Sequence, residues 1–200
     1  MSTAQPSNLS IRQRYPTAHQ HHIFGIGLGR TCTRSLNAAL CRLGYHSCHQ
    51  PNFNSNDPYQ KTLQFYDGAT DSSVALHFKK LYEIWPESKF ILTVRDKEAW
   101  LKSCKRHFKP IQNDQALPLI KAKFNLRMKL YGAPSYNRSI WISSAMKHFS
   151  AVMQFFSGTK EMRSRLLIMD IASGDDGWFE LCQFLNFPMN VPEALSALSR

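Results

Sequence analysis

The chain has 200 residues, 43% of them hydrophobic and 20% charged, and its 25 Lys and Arg against 14 Asp and Glu give a net charge of +11. That length suits one domain with a real core, and the charge favours anionic ligands such as nucleotides, nucleic acid, acidic glycans or anionic lipid. No apolar run approaches the ~20 residues of a membrane span, and the opening MSTAQPSNLSIRQRYPTAHQHH lacks the apolar stretch of a secretory signal.

Residues 1–20 read as a flexible polar arm. HIFGIG (22–27) is short, apolar and ends in glycine, which predicts a buried strand. Leu36, Ala39, Leu40 and Leu43 recur at helical spacing, so a helix is expected from Thr33 to Leu43, stopped by Gly44. YHSCH (45–49) suits a second short strand, and PNFNSNDP (51–58) is turn chemistry. Helical patterns occupy 58–67 and 73–84, and KFILTV (89–94) is the clearest strand in the chain. Asp96 is placed to cap a helix over 97–107. Segments 114–131 and 138–157 are helical in pattern, broken by Gly132 and Pro134. RLLIMDI (165–171) is another buried strand; SGDDG then turns into a helix over 177–186, and Pro188 and Pro192 interrupt the C-terminal residues.

Nearly continuous apolar strands alternating with helices predict an α/β fold of three layers, α/β/α, around a central parallel sheet. Ligands of such folds bind at the carboxyl ends of the strands. The loops after Gly27, His49, Val94 and Ile171 should therefore share one rim.

The first of those loops, GIGLGRTCTRS, is P-loop-like: strand, glycine-rich turn, helix. The helix start offers unpaired backbone N–H groups and a positive dipole end. Thr31, Thr33 and Ser35 add hydroxyls, and Arg30 and Arg34 add guanidinium groups suited to phosphate or sulfuryl oxygens. It is not a Walker A loop, because Phe24 stands at the first glycine and Arg30 at the lysine. Nor is it a dinucleotide fingerprint, because Arg30 stands at the third glycine. A second anion element is ILTVRDKEAWLKS, where Arg95 ends a strand and Ser103 lies eight residues on, along the next helix.

Together these two pieces resemble the phosphate-binding elements of the P-loop sulfotransferases, in particular their short, bacterial-type branch. LGYHSCH, DSSVALHFKKLYEIWPESKFILTVRDKEAW, MKHFSAVMQFF and RLLIMDI with GDDGWFELCQFLNFP extend the resemblance over roughly residues 22 to 190. It implies that residues 21–200 form one sulfotransferase-like domain. The implied activity is transfer of a sulfuryl group from 3′-phosphoadenosine 5′-phosphosulfate (PAPS) to a hydroxyl or amine acceptor, with no metal required. It further implies that Gly29, Arg30, Thr31, Cys32, Thr33, Arg34 and Ser35 cradle the 5′-phosphosulfate and that Arg95 and Ser103 hold the 3′-phosphate. Cys32 stands where the family carries glycine, and Arg34 where a second threonine is common. Arg30 would meet the charge that develops on the leaving phosphate.

An acceptor hydroxyl also needs a base. Asp71 lies 24 residues before Arg95, near where the small-molecule enzymes of the family carry a catalytic histidine. His49 is the other candidate, at the end of the second strand on the same rim. Two further readings compete with the sulfotransferase one. A kinase-like P-loop phosphotransferase would need a Walker B carboxylate, for which Asp170 is the candidate, and a polyanion- or nucleic-acid-binding protein would need no catalysis. Nucleic acid is the less favoured partner, since the basic residues are dispersed and form none of its motifs.

Segment 110–138 is expected to form the lid over the acceptor, and its basic residues point to an acidic or phosphorylated acceptor; homodimerisation stays open. The five cysteines include no CxxC pair, and an odd number without a signal sequence places the protein in a reducing, cytoplasmic compartment.

Overall fold

The computed structural model describes residues 20–53, 59–111, 118–174 and 177–187. The arm expected over 1–20 lies outside them except for Gln20, as do most of the 51–58 turn, the start of the 114–131 helix, Asp175, Asp176 and the stretch with Pro188 and Pro192.

Five strands, β1 (Ile23–Gly25), β2 (Ser47–His49), β3 (Gly68–Thr70), β4 (Lys89–Thr93) and β5 (Leu166–Met169), form one sheet in the order β2-β3-β1-β4-β5. Every neighbouring pair is parallel. Eight helices flank it among the described residues: α1 (Thr33–Arg42), α2 (Tyr59–Leu63), α3 (Ser72–Ile84), α4 (Lys97–His107), α5 (Pro118–Tyr131), α6 (Arg138–Phe156), α7 (Lys160–Ser164) and α8 (Trp178–Phe184).

The alternation of side chains along each strand divides the core. Ile23, Ile91 and Met169 meet α1 and α8 on one face through Leu36, Leu40 and Leu181. Phe24, Ala69, Phe90 and Leu92 meet α3 and α6 on the other through Val74, Phe78, Val152 and Phe156. Phe24 and Phe90 are fully buried, each contributing roughly 1.5–3 kcal/mol by leaving water. A third apolar cluster, with Leu28, Trp100, Leu130, Tyr131 and Trp141, joins α4, α5 and α6 beside the loop after β1. The three-layer α/β/α architecture expected from the sequence is therefore present.

Two elements differ from expectation. The helix expected over 58–67 is only α2, and β3 comes after it. Gly68-Ala69-Thr70 has little strand propensity, but its backbone pairs with β2 on one side and β1 on the other. A Cβ at Gly68 would approach Ile23 O to 3.1 Å, so the small residues suit a crowded position. The short helix α7, capped by Thr159 through Met162 N–H at 3.2 Å, precedes β5. Asp96 caps α4 as expected, accepting Ala99 N–H at 2.8 Å.

The chain leaves β1 toward the α1 face and β4 toward the α4 face, so the two strand tips open a crevice between them. Gly27 lies where that crevice begins, and a Cβ there would sit 1.9 Å from Thr93 Oγ1 and 2.7 Å from Thr93 O. Gly27→Ala is expected to lower stability by about 3 kcal/mol through overpacking against the backbone of β4, measured by chemical denaturation; a loss too small to resolve would contradict this placement.

Candidate functional site

Above the crevice lies a cleft of about 540 Å³. Its first wall is the loop from Gly29 into α1. Gly29 N–H donates to Tyr131 Oη at 2.9 Å and lies 3.2 Å from Ser72 Oγ, and Gly29 O accepts Trp100 Nε1–H at 3.0 Å. The Gly29 N–H is thus engaged by protein, and the residue serves the loop through close approach: a Cβ would meet Ser72 Oγ, Phe108 Cζ and Tyr131 Oη at 3.0–3.1 Å. Arg30 (φ 76°) and Cys32 (φ 65°) both take the left-handed backbone region that favours glycine. Cys32 is the N-cap of α1 but makes no side-chain cap bond, and the first turn holds no acidic residue. The positive end of α1 therefore faces the cleft without a negative side chain of its own turn.

The predicted loop residues divide. Arg30, Cys32, Thr33, Arg34 and Ser35 line the cleft. Thr31 turns beneath it, its hydroxyl donating to Leu28 O at 2.7 Å and pairing with Thr93 Oγ1 at 2.7 Å. Ser103 is 2% exposed and accepts Arg30 Nε–H at 3.0 Å, so it stands behind the Arg30 guanidinium. Arg95 lines the cleft, donates from Nη1 to Arg30 O at 3.2 Å, and carries a buried Nε with no hydrogen-bond partner among the described residues. A buried guanidinium N–H without an acceptor is costly.

The opposite end of the cleft is set by strand register. His49 pairs with Thr70 across β2 and β3, and Asp71 comes directly after Thr70. The two base candidates meet there, with His49 Nε2 3.6 Å from Asp71 Oδ2. Asp71 Oδ1 accepts Thr33 Oγ1–H and Ser72 Oγ–H, each at 3.3 Å. His49 Nδ1 lies 2.9 Å from Thr70 Oγ1, which donates its own hydrogen to Asn37 Oδ1 at 3.5 Å. The ring is thus gripped at Nδ1 by Thr70 while its Nε2 faces the Asp71 carboxylate. Burial draws the His49 pKa below its ordinary 6.5; the Asp71 charge opposes that shift and Arg34 adds to it. Asp71 itself sits at φ 100°, ψ −176°, a region close to glycine-only. Its side chain makes no cap bond to α3; its main-chain O accepts Val74 and Ala75 N–H instead.

Residues from α4 and α5 close the cleft: His107, Phe108, Lys123, Leu126, Arg127 and Tyr131. Arg127 lies over the Phe108 ring at 4.9 Å and donates to Lys109 O and Pro134 O. Burial and then the Arg30 charge push His107 below its ordinary pKa. Arg30, Arg34, Arg95, Lys123 and Arg127 line the cleft against one carboxylate, Asp71, so the site is built for an anion. Ser72 and Tyr131 leave no local signal in the sequence, since their contacts join residues 43 to 102 positions apart. Asp170, the Walker B candidate, caps the short 3-10 turn at Ile171–Ser173 by accepting Ala172 N–H at 3.0 Å. Among the described residues no group of three or more His, Cys, Asp or Glu could hold a metal ion, and no helix is long and apolar enough to cross a membrane.

The profile of the sulfotransferase domain family matches residues 50–195, a span that includes Asp71, Arg95 and Ser103. The chain is also similar to the protein described as "Ava biosynthesis cluster protein M" of Aspergillus versicolor, at 24% identity over 204 residues, covering 84% of this chain and 76% of that protein.

The geometry around Asp71 is open to two measurements. Asp71→Gly and Asp71→Ala both delete the carboxylate, but only glycine suits the backbone; the Gly variant should be more stable by about 1–2 kcal/mol in thermal or urea unfolding. Asp71→Asn removes the charge that raises the His49 pKa, so the His49 imidazole should titrate lower still in NMR than the wild-type value, itself below 6.5. An upward or absent shift would show that Asp71 does not act on the ring.

Proposed function

The chain belongs to the sulfotransferase domain family, and we propose that it transfers a sulfuryl group from PAPS to a hydroxyl or amine acceptor in this cleft. The observation that carries the reading is that Arg30 and Arg95 line one cleft, with the Arg95 Nε buried and unmatched. The 5′-phosphosulfate would lie on the first turn of α1, against Arg30, Thr33, Arg34 and Ser35, where free N–H groups and two guanidinium groups converge. The 3′-phosphate would take Arg95 and its Nε–H. Ser103 holds Arg30 by its Nε and so aims the guanidinium at the donor.

Sulfuryl transfer, like phosphoryl transfer, is chiefly a matter of positioning and charge stabilisation. The acceptor oxygen or nitrogen forms a bond to sulfur as the bond from sulfur to the bridging phosphate oxygen breaks. Arg30 offsets the charge gathering on that oxygen. The acceptor proton goes to the neutral His49 ring, and the Asp71 carboxylate, 3.6 Å from Nε2, stabilises the imidazolium so formed. His49 is the base in this reading and Asp71 its electrostatic partner, because Asp71 Oδ1 is occupied by two hydroxyls while Oδ2 faces the His49 ring. Lys123 and Arg127 on the acceptor wall suit an acceptor bearing a carboxylate or phosphate.

Calorimetry with adenosine 3′,5′-bisphosphate, the product nucleotide, tests the donor site. Arg30→Ala and Arg95→Ala should each weaken binding by about 2–4 kcal/mol, the size of truncating a charged, hydrogen-bonded contact, while ATP binds far more weakly to the wild type. Arg95→Ala binding the bisphosphate as tightly as the wild type would remove the 3′-phosphate assignment.

A further inference from the structure

Tyr131 ends α5, is 1% exposed, and stacks on Trp141 with ring centroids 4.3 Å apart. Its ring belongs to the α4–α6 cluster, but its hydroxyl does not rest there. It reaches the donor loop, accepting Gly29 N–H at 2.9 Å, and lies 3.1 Å from Ser72 Oγ. Counting hydrogens gives the pair a direction. Ser72 has one hydroxyl hydrogen and gives it to Asp71 Oδ1. Ser72 therefore accepts from Tyr131, and Tyr131 from Gly29. The result is a directed series in which Gly29 N–H is shared between Tyr131 Oη and Ser72 Oγ, 3.2 Å away, Tyr131 O–H passes to Ser72, and Ser72 O–H ends on the Asp71 carboxylate. Bonds in such a series polarise one another in a buried setting. Full burial also raises the Tyr131 pKa, so the group stays a phenol and keeps its hydrogen to donate.

We propose that Tyr131 is a positioning residue that fixes the donor loop and the Asp71 carboxylate in one register, so that the sulfuryl group and the base site are set at a constant separation. The function of that register rests on the donor reading above; the anchoring of the loop does not. A tyrosine held only for packing would need no hydroxyl at this position, since phenylalanine keeps the ring and the Trp141 stack. The hydroxyl instead meets the residue directly before Arg30 and the residue directly after Asp71. Trp100 holds the next peptide group, through Gly29 O, so Gly29 is fixed on both sides.

Tyr131→Phe separates the two roles, with Ser72→Ala and the double variant as partners. Thermal unfolding should show the Phe variant folded, with a melting temperature close to wild type. Exchange of the Gly29 amide should be about tenfold faster in Tyr131→Phe than in wild type, and adenosine 3′,5′-bisphosphate should bind about fivefold more weakly. In the double variant, which removes both acceptors of Gly29 N–H, the amide should exchange faster than in either single variant. The proposal is overturned by Gly29 exchange at the wild-type rate in Tyr131→Phe, by an unchanged affinity in the folded Phe variant, or by a double variant whose Gly29 amide exchanges no faster than in the worse single variant. Absence of bisphosphate binding to the wild type would instead refute the donor reading, and the exchange measurement would still decide whether Tyr131 anchors the loop.

Discussion

Gly29 is held on both sides, its N–H by Tyr131 and its C=O by Trp100, and the rest of this wall of the cleft depends on that clamp. Immediately after it, Arg30 and Cys32 take backbone conformations that L-residues disfavour by roughly 1–3 kcal/mol each. Such conformations persist only where the surroundings over-determine them. Here the surroundings are a buried tyrosine, a buried tryptophan, and Thr31 bonded to Leu28 and Thr93 under the loop. The consequence is functional: the chain turns sharply enough for Arg30 and the first turn of α1 to face the same cleft as Arg95.

The far side of the cleft rests on a second constraint of the same kind. Asp71 lies in the strained region between β3 and α3, and the register of β2 against β3 brings His49 beside Thr70 and so next to it. Neither His49 nor Asp71 is unusual in sequence. Their pairing is a product of two three-residue strands whose positions are set by backbone ladders and not by side-chain pattern.

That distinction explains what could be read from the sequence. The long apolar strand at 89–94, the helix after Asp96, the glycine-rich turn and the parallel α/β layering come from periodicity and turn chemistry, and the structure contains each of them. Arg30, Arg34 and Arg95 are visible as cations at strand tips, and they do share a cleft. β3 is not visible, because Gly68 and Ala69 carry no strand signal and the small size of Gly68 reflects crowding by Ile23 and Ser47. The positions of Ser103 and Thr31 are not visible either. Spacing along a helix or loop says which residues are near the site, but hydrogen-bond partners decide whether a hydroxyl faces the cleft or the core. Tyr131 and Ser72 lie beyond any local pattern, since their bonds to the loop join distant parts of the chain.

Electrostatics selects among the histidines. Burial pulls His49, His77 and His148 all below the ordinary pKa, so each is a neutral imidazole near pH 7. His77 pairs with Tyr59 Oη and His148 with Ile26 O, partners that carry no charge. His49 alone of the three has a carboxylate at 3.6 Å to receive an imidazolium. Arg34 works against that cation. With an anionic donor lying on Arg34, as the sulfotransferase reading has it, the arginine's positive field is largely compensated, and His49 becomes a stronger base when the donor is in place. On that reading, the cleft charge that would attract the nucleotide would also restrain the base until the nucleotide arrived, which would tie proton removal from the acceptor to occupancy of the donor site.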